Sequence, residues 1–212
     1  MSRVVPAILT EDPEALEKMI RLADEFTDFV QLDIMDGRFV PSRSIKAEDI
    51  AKLQTSLKWE AHLMVDNPQQ YLKGFKQAGA KRVVFHYEAT DEPLEVISKA
   101  REMELEVGLA INPETDITKV LPLTDKLNCL LFLSVNPGFY GSPFIPEVLE
   151  KIRQFRVLCP SVETGIDGGV KEGNIADIAA TGVDYICIGS AIFLSRIPAE
   201  SYRRLSALAK QT

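Results

Sequence analysis

With 212 residues, 46% of them apolar and 26% charged, the chain has the length of one domain and the means to bury a sizeable core, which excludes disorder. Its 31 acidic residues against 24 basic ones leave a formal charge of −7, a balance that repels polyanions and argues against nucleic-acid binding. Three cysteines with no close pair read as free thiols of a reducing compartment, and the absence of a leader-like or membrane-length apolar run points to a cytoplasmic address without membrane contact.

Along the chain, short β-branched runs alternate with amphipathic helical stretches. Strands are expected at 4–9, 29–34, 59–64, 82–86, 106–111, 129–135, 162–166 and 185–188. Between the first two, Asp12 before Pro13 reads as a helix N-cap, followed by Leu16, Met19, Ile20, Ala23 and Phe26 on one face. Asn67-Pro68 repeats the device ahead of Tyr71, Leu72, Phe75 and Ala78, and Pro146 opens a third helix with Leu149, Ile152 and Phe155 as its apolar stripe. Gly79 and Gly182 stand where C-cap glycines precede a strand. Eight strand–helix units predict a single-domain (β/α)₈ barrel over 1–212. The open doubly wound alternative is disfavoured because the loop after the first strand, Leu9-Thr10-Glu11-Asp12, holds no glycine.

In such a barrel the chemistry collects at the C-terminal ends of the strands. Polar residues fall there in several units: Thr10, Gln31 and Asp33, Glu60 and His62, His86, Asn112, Asn136, Asp167, and Gly189-Ser190; both histidines of the chain are among them. Period two places Gln31 with Asp33, and Glu60 with His62 and Met64, so the carboxylates Asp33 and Glu60 and the His62 imidazole are expected to converge with Asp167. Taken singly, Asp33 is also readable as a loop-capping carboxylate and His62 as a satisfied core histidine. Together with Asp167 they read as a divalent-metal site, for zinc, manganese or iron rather than calcium, with magnesium a further candidate. Asp167-Gly168-Gly169 and Gly189-Ser190 follow the last two strands, where backbone amides hold phosphate in barrels of this kind, so a small phosphorylated ligand is the expected partner. The stretch Asn136-Pro137-Gly138-Phe139-Tyr140-Gly141 reads as a lid over the same mouth.

The segments PAIL at 6–9, DIMDGRFVP at 33–41, HLM at 62–64, SVNPGF at 134–139, IDGG at 166–169 and IGSAIF at 188–193 resemble, in order, those of the ribulose-phosphate 3-epimerase family. The resemblance implies a homo-oligomeric (β/α)₈ barrel that interconverts ribulose 5-phosphate and xylulose 5-phosphate. By matching position, Asp33 and Asp167 would be the acid and base on opposite faces of the substrate. Asp33, His62 and Asp167 would be metal ligands. Met35 and Met64 would flank the reacting carbon, with Thr10, Asn136, Gly138 and Gly141 around the substrate. Gly168, Gly169, Gly189 and Ser190 would hold the phosphate.

The departures lie at the mouth. Gln31 stands where the family has a fourth, histidine ligand, and its carbonyl is a poorer zinc ligand than imidazole. Ala7 and Thr10 replace serines, Arg38 a histidine, Ser42 an asparagine and Lys46 a glycine, and Tyr140 adds bulk to the lid. Two other functions follow from these changes: a phosphosugar-binding barrel that has lost catalysis, and a lyase or synthase of the same superfamily. The second is disfavoured by Met35, which occupies the place of a lysine in the Asp-x-Lys-x-x-Asp run of those relatives.

Overall fold

A computed structural model describes residues 1–137 and 142–210. Eight parallel strands close into a barrel in the order β1 to β8. They are β1 Arg3–Ile8, β2 Phe29–Met35, β3 Lys58–Met64, β4 Arg82–His86, β5 Glu106–Ile111, β6 Cys129–Leu133, β7 Glu163–Asp167 and β8 Tyr185–Ile188. Closure is made by β1 pairing with both β2 and β8, with Ala7 opposite Gln31 and Val5 opposite Cys187. The expected (β/α)₈ barrel is therefore the fold, with boundaries moved by a residue or two.

The helical layer is less regular than the pattern of apolar residues suggests. Asp12 caps α1, Pro13–Asp24, its side chain accepting from the Glu14 amide at 2.9 Å, and Leu16, Ile20 and Ala23 are buried beneath it. Asn67 does not cap a helix: it takes a left-handed φ of 52° and leads into a 3₁₀ turn, Pro68–Gln70, before the helix α2, Leu72–Gln77, begins. The reason is steric. The proline fixes the first turn, and Asn tolerates the left-handed bend that turns the chain back from β3. Between β5 and β6 two 3₁₀ segments, Ile117–Lys119 and Leu121–Lys126, replace the expected helix. Gly79 and Gly182 have positive φ, as their positions at helix ends require. No helix among the described residues is long and apolar enough to cross a membrane.

Two apolar layers hold the barrel. Side chains on the outer face of the strands, such as Leu32, Leu63, Phe85, Phe132 and Ile186, pack under the helices. The inner face is filled by Val5, Phe29, Val84, Leu131, Tyr185 and Cys187. Gly165 on β7 makes room for the Tyr185 ring, since a Cβ there would lie 2.2 Å from Cζ of Tyr185. At the N-terminal end of the barrel the charges are paired. Arg82 is 3% exposed and donates to Glu60 at 2.5 Å and to Glu163, and its guanidinium lies over the rings of Phe29 and Tyr185.

Candidate active site

Four strands bring five polar side chains together at the C-terminal end of the barrel. Gln31 and Asp33 come from β2, His62 from β3, Asp167 from the last position of β7, and Cys187 from β8. The register pairs Asp33 with His62 and Asp167 with Cys187, so the inward side chains lie at one level. His62 Nδ1 is 3.0 Å from Asp33 Oδ1 and 3.4 Å from Asp167 Oδ2. The Gln31 amide nitrogen donates to the same two oxygens, at 2.9 and 2.8 Å, while its carbonyl accepts from the Cys187 thiol at 3.1 Å.

Glu60 takes no part in this cluster. It shares the inner face of β3 with His62 but lies two residues deeper, where Arg82 engages it. The period-two reading chose the side of the strand correctly but carried no information on depth.

Burial makes the cluster electrostatically demanding. Gln31 and His62 have no exposed surface, and Asp33 is 8% exposed. Desolvation, together with the charge of Asp167, pushes the Asp33 carboxyl up to about 6. Burial alone would lower His62, but the hydrogen bonds and charges of Asp167 and Asp33 outweigh it and carry the imidazole up to about 10. Two facing carboxylates thus call for a positive charge between them.

Asp33, His62 and Asp167 offer ligand atoms that all lie within 4.8 Å of one another. A tetrahedral ion bound at ordinary zinc distances has ligand atoms about 3.3 Å apart, close to the His62–Asp33 and His62–Asp167 separations seen here. Three protein ligands of mixed imidazole and carboxylate type are also the usual set of a catalytic divalent site with one position open. The donor set fits a divalent ion.

Around this point a cavity opens at the barrel mouth, and Ala7, Asp33, His62, Asp167, Cys187 and Lys171 are among the residues lining it. Met35 and Met64 form one apolar wall with Val40, Leu9 and Phe39. Gly168, Gly169, Gly189 and Ser190 line the opposite end. Gly168 and Gly169 take φ of 110° and 66°, and a Cβ on Gly168 would meet Val135 at 2.5 Å, so this turn admits only glycine without rearrangement.

Two residues matched by the family resemblance do not line the cavity. Thr10 turns into the loop instead, accepting from the Asp12 amide at 3.1 Å, because it stands two residues ahead of the α1 cap. Asn136 is exposed, and Pro137 and Ser142 face the cavity in its neighbourhood. Gly138, Tyr140 and Gly141 lie outside the described residues. Sequence reasoning passed over Cys187 and Lys171. Period two from Gly189 would have placed Cys187 on the inner face, and Lys171, two residues beyond Gly169, is the only lysine or arginine among the described lining residues.

A closed parallel barrel with two carboxylates and an imidazole gathered at its mouth has the form of a (β/α)₈-barrel enzyme. The family model described as "Ribulose-phosphate 3 epimerase family" matches residues 3–193. The ribulose-phosphate 3-epimerase of Mycobacterium tuberculosis is 36% identical over 213 residues, covering 95% of this chain and 90% of that protein. The ribulose-phosphate 3-epimerase of Schizosaccharomyces pombe is 34% identical, covering 94% and 90%. Among solved structures, 3-hexulose-6-phosphate synthase from Salmonella typhimurium superposes with a TM-score of 0.73 at 19% identity, covering 99% of each chain, a likeness of fold. The chain belongs to the ribulose-phosphate 3-epimerase family, a family of enzymes.

Proposed function

We propose that the chain epimerises a ketose phosphate at C3, interconverting ribulose 5-phosphate and xylulose 5-phosphate, with Asp33 and Asp167 as the acid–base pair. The observation that carries this is the meeting of these two carboxylates over the cavity, held by one amide and one imidazole. The C3 proton lies next to a carbonyl and is weakly acidic. Inversion needs one group to take it from one face and a second to return a proton on the other. Asp33 comes from β2 and Asp167 from β7, on either side of the β1–β8 seam, so substrate seated between them presents opposite faces to the two. Burial raises Asp33 towards neutrality, which suits a group that alternately holds and releases a proton. Met35 and Met64 wall the site with apolar surface and keep water from the reacting carbon.

Asp33, His62 and Asp167 would hold a divalent metal, with zinc, manganese, iron and magnesium as the candidates, and a bound ion would supply the charge that makes the C3 proton acidic. Gln31 joins as a ligand only if its amide turns over, since its carbonyl now faces Cys187. Cys187 Sγ can then accept the displaced N–H. The phosphate would sit against Gly168, Gly169, Gly189 and Ser190, with Lys171 adding charge. Family membership supports a cytoplasmic homo-oligomer, to be sized by light scattering.

The test is direct. Purified protein supplied with each metal in turn should convert ribulose 5-phosphate to xylulose 5-phosphate and exchange the C3 proton with D₂O. No turnover with any of the four metals overturns the assignment and leaves a phosphosugar-binding barrel, whereas product formed with no C3 exchange overturns the two-aspartate proton transfer.

A further inference from the structure

Behind His62 runs a second line of polar groups, buried except for Glu88 at its outer end, that the epimerisation does not use. His62 Nε2 lies 3.0 Å from His86 Nε2, and the two rings stack with centroids 5.1 Å apart. His86 Nδ1 is 3.3 Å from Glu88 Oε2, and Glu88 Oε1 accepts from the Asn112 amide at 2.9 Å and from the Thr115 hydroxyl. His62 and His86 are fully buried, and the Phe39 ring packs on His86 at 4.9 Å between centroids. β3 and β4 bring the histidines together, and the turn Tyr87–Ala89 after β4 brings Glu88 back to the imidazole.

The protons on this line are fixed by elimination. An ionised carboxylate only accepts hydrogen bonds, and Glu88 is already engaged by an amide and a hydroxyl, so His86 must carry its proton on Nδ1 to face it. A neutral His86 then has a lone pair on Nε2, and His62 must donate to it from its own Nε2. That leaves His62 Nδ1 aimed at Asp33 and Asp167, whether as an N–H between the two carboxylates or as a free lone pair for a cation. With His86 neutral, any other placement sets two lone pairs or two protons against each other across a dry contact.

We propose that His86 and Glu88 are positioning residues that lock the His62 ring and its tautomer, so that Nδ1 is presented to the Asp33–Asp167 pair and to a divalent cation bound there. The cation part rests on the metal reading given above; the tautomer part does not.

The chain has only two histidines, so a long-range ¹H–¹⁵N spectrum of histidine-labelled protein contains just these two rings. The expected result is an Nδ1–H tautomer for His86 both without metal and with zinc. A His86 protonated on Nε2 alone overturns the proposal, and because this is read on the unaltered protein it needs no variant to fold. The second arm measures zinc affinity by competition with a chromophoric chelator. His86→Leu should weaken binding by about 10–100-fold, whereas His86→Gln, whose carbonyl can accept from His62 while its NH₂ donates to Glu88, should stay near the unaltered protein. Equal affinity in all three overturns the cation part, as does His86→Gln falling as far as His86→Leu at matched melting temperature. If the unaltered protein takes up no zinc, the metal reading fails and the tautomer result still decides the relay.

Discussion

Gln31 on β2 donates a 2.8 Å hydrogen bond to Asp167 on β7, across the mouth of the barrel. The same NH₂ group reaches Asp33, so an uncharged amide tethers the two carboxylates proposed to exchange protons with substrate. A hydrogen-bond donor here does part of what a cation does, and the first prediction follows. Gln31→His should bind zinc or manganese at least tenfold more tightly than the unaltered protein, measured by calorimetry. Unchanged affinity would show that the fourth position takes no part in holding the ion.

Asp33→Asn and Asp167→Asn should each lower kcat by roughly 10²–10⁴-fold, the usual worth of a positioned acid or base. The melting temperature should not fall, because each replacement relieves one buried charge of the facing pair. Retention of more than a tenth of the activity in either variant would remove that residue from the proton-transfer role.

The metal-free protein should lose stability as pH rises from about 6.5 to about 10. His62 is held above its ordinary value, so the stability it contributes is fully present below 6.5 and is lost as pH climbs through 10. Chemical denaturation at stepped pH in the presence of chelator reads this slope, and His62→Gln should flatten it.

Lys171→Ala should raise KM for the phosphorylated substrate several-fold and leave kcat nearly unchanged, since the residue lines the cavity two positions beyond the glycine turn. A fall in kcat with KM unchanged would place Lys171 in the chemistry instead of the anion cradle.

Arg82→Met should destabilise the fold by about 3–5 kcal/mol, because Glu60 is left as an uncompensated charge in the barrel interior. The double variant Glu60→Leu/Arg82→Met should recover most of that loss, as read by urea denaturation. Failure to recover would mean that the pair also organises Tyr185 and Phe29.

The barrel was legible because its signals repeat. β-branched runs separated by capped helices recur along the chain, and an error at one boundary does not disturb closure. Asp12 was readable because its capping bond is local. The 3₁₀ segments between β5 and β6 were not, since what sits there depends on how β5 and β6 pack with their neighbours, a property of tertiary contacts. Within the site, alternation along β2 and β3 placed Gln31, Asp33 and His62 on the inner face. It could not tell that Glu60 belongs to a lower layer, because depth is set by strand stagger. Thr10 matched a family position, yet its hydroxyl is drawn into the turn before α1. The Gln31 orientation was also beyond reach: which end of the amide faces the aspartates is decided by the Cys187 thiol, 156 residues away in sequence.

The ion-paired floor of Glu60, Arg82 and Tyr185, with almost no exposed surface, makes the barrel a chamber with one door. Whatever enters past the glycine turns must leave the same way, so release of product and entry of the next molecule compete for one passage. A proton taken by one aspartate must reach solvent through the mouth, or along the His62–His86–Glu88 line, before that aspartate can act again, so the ratio of solvent exchange to turnover should track access to those routes.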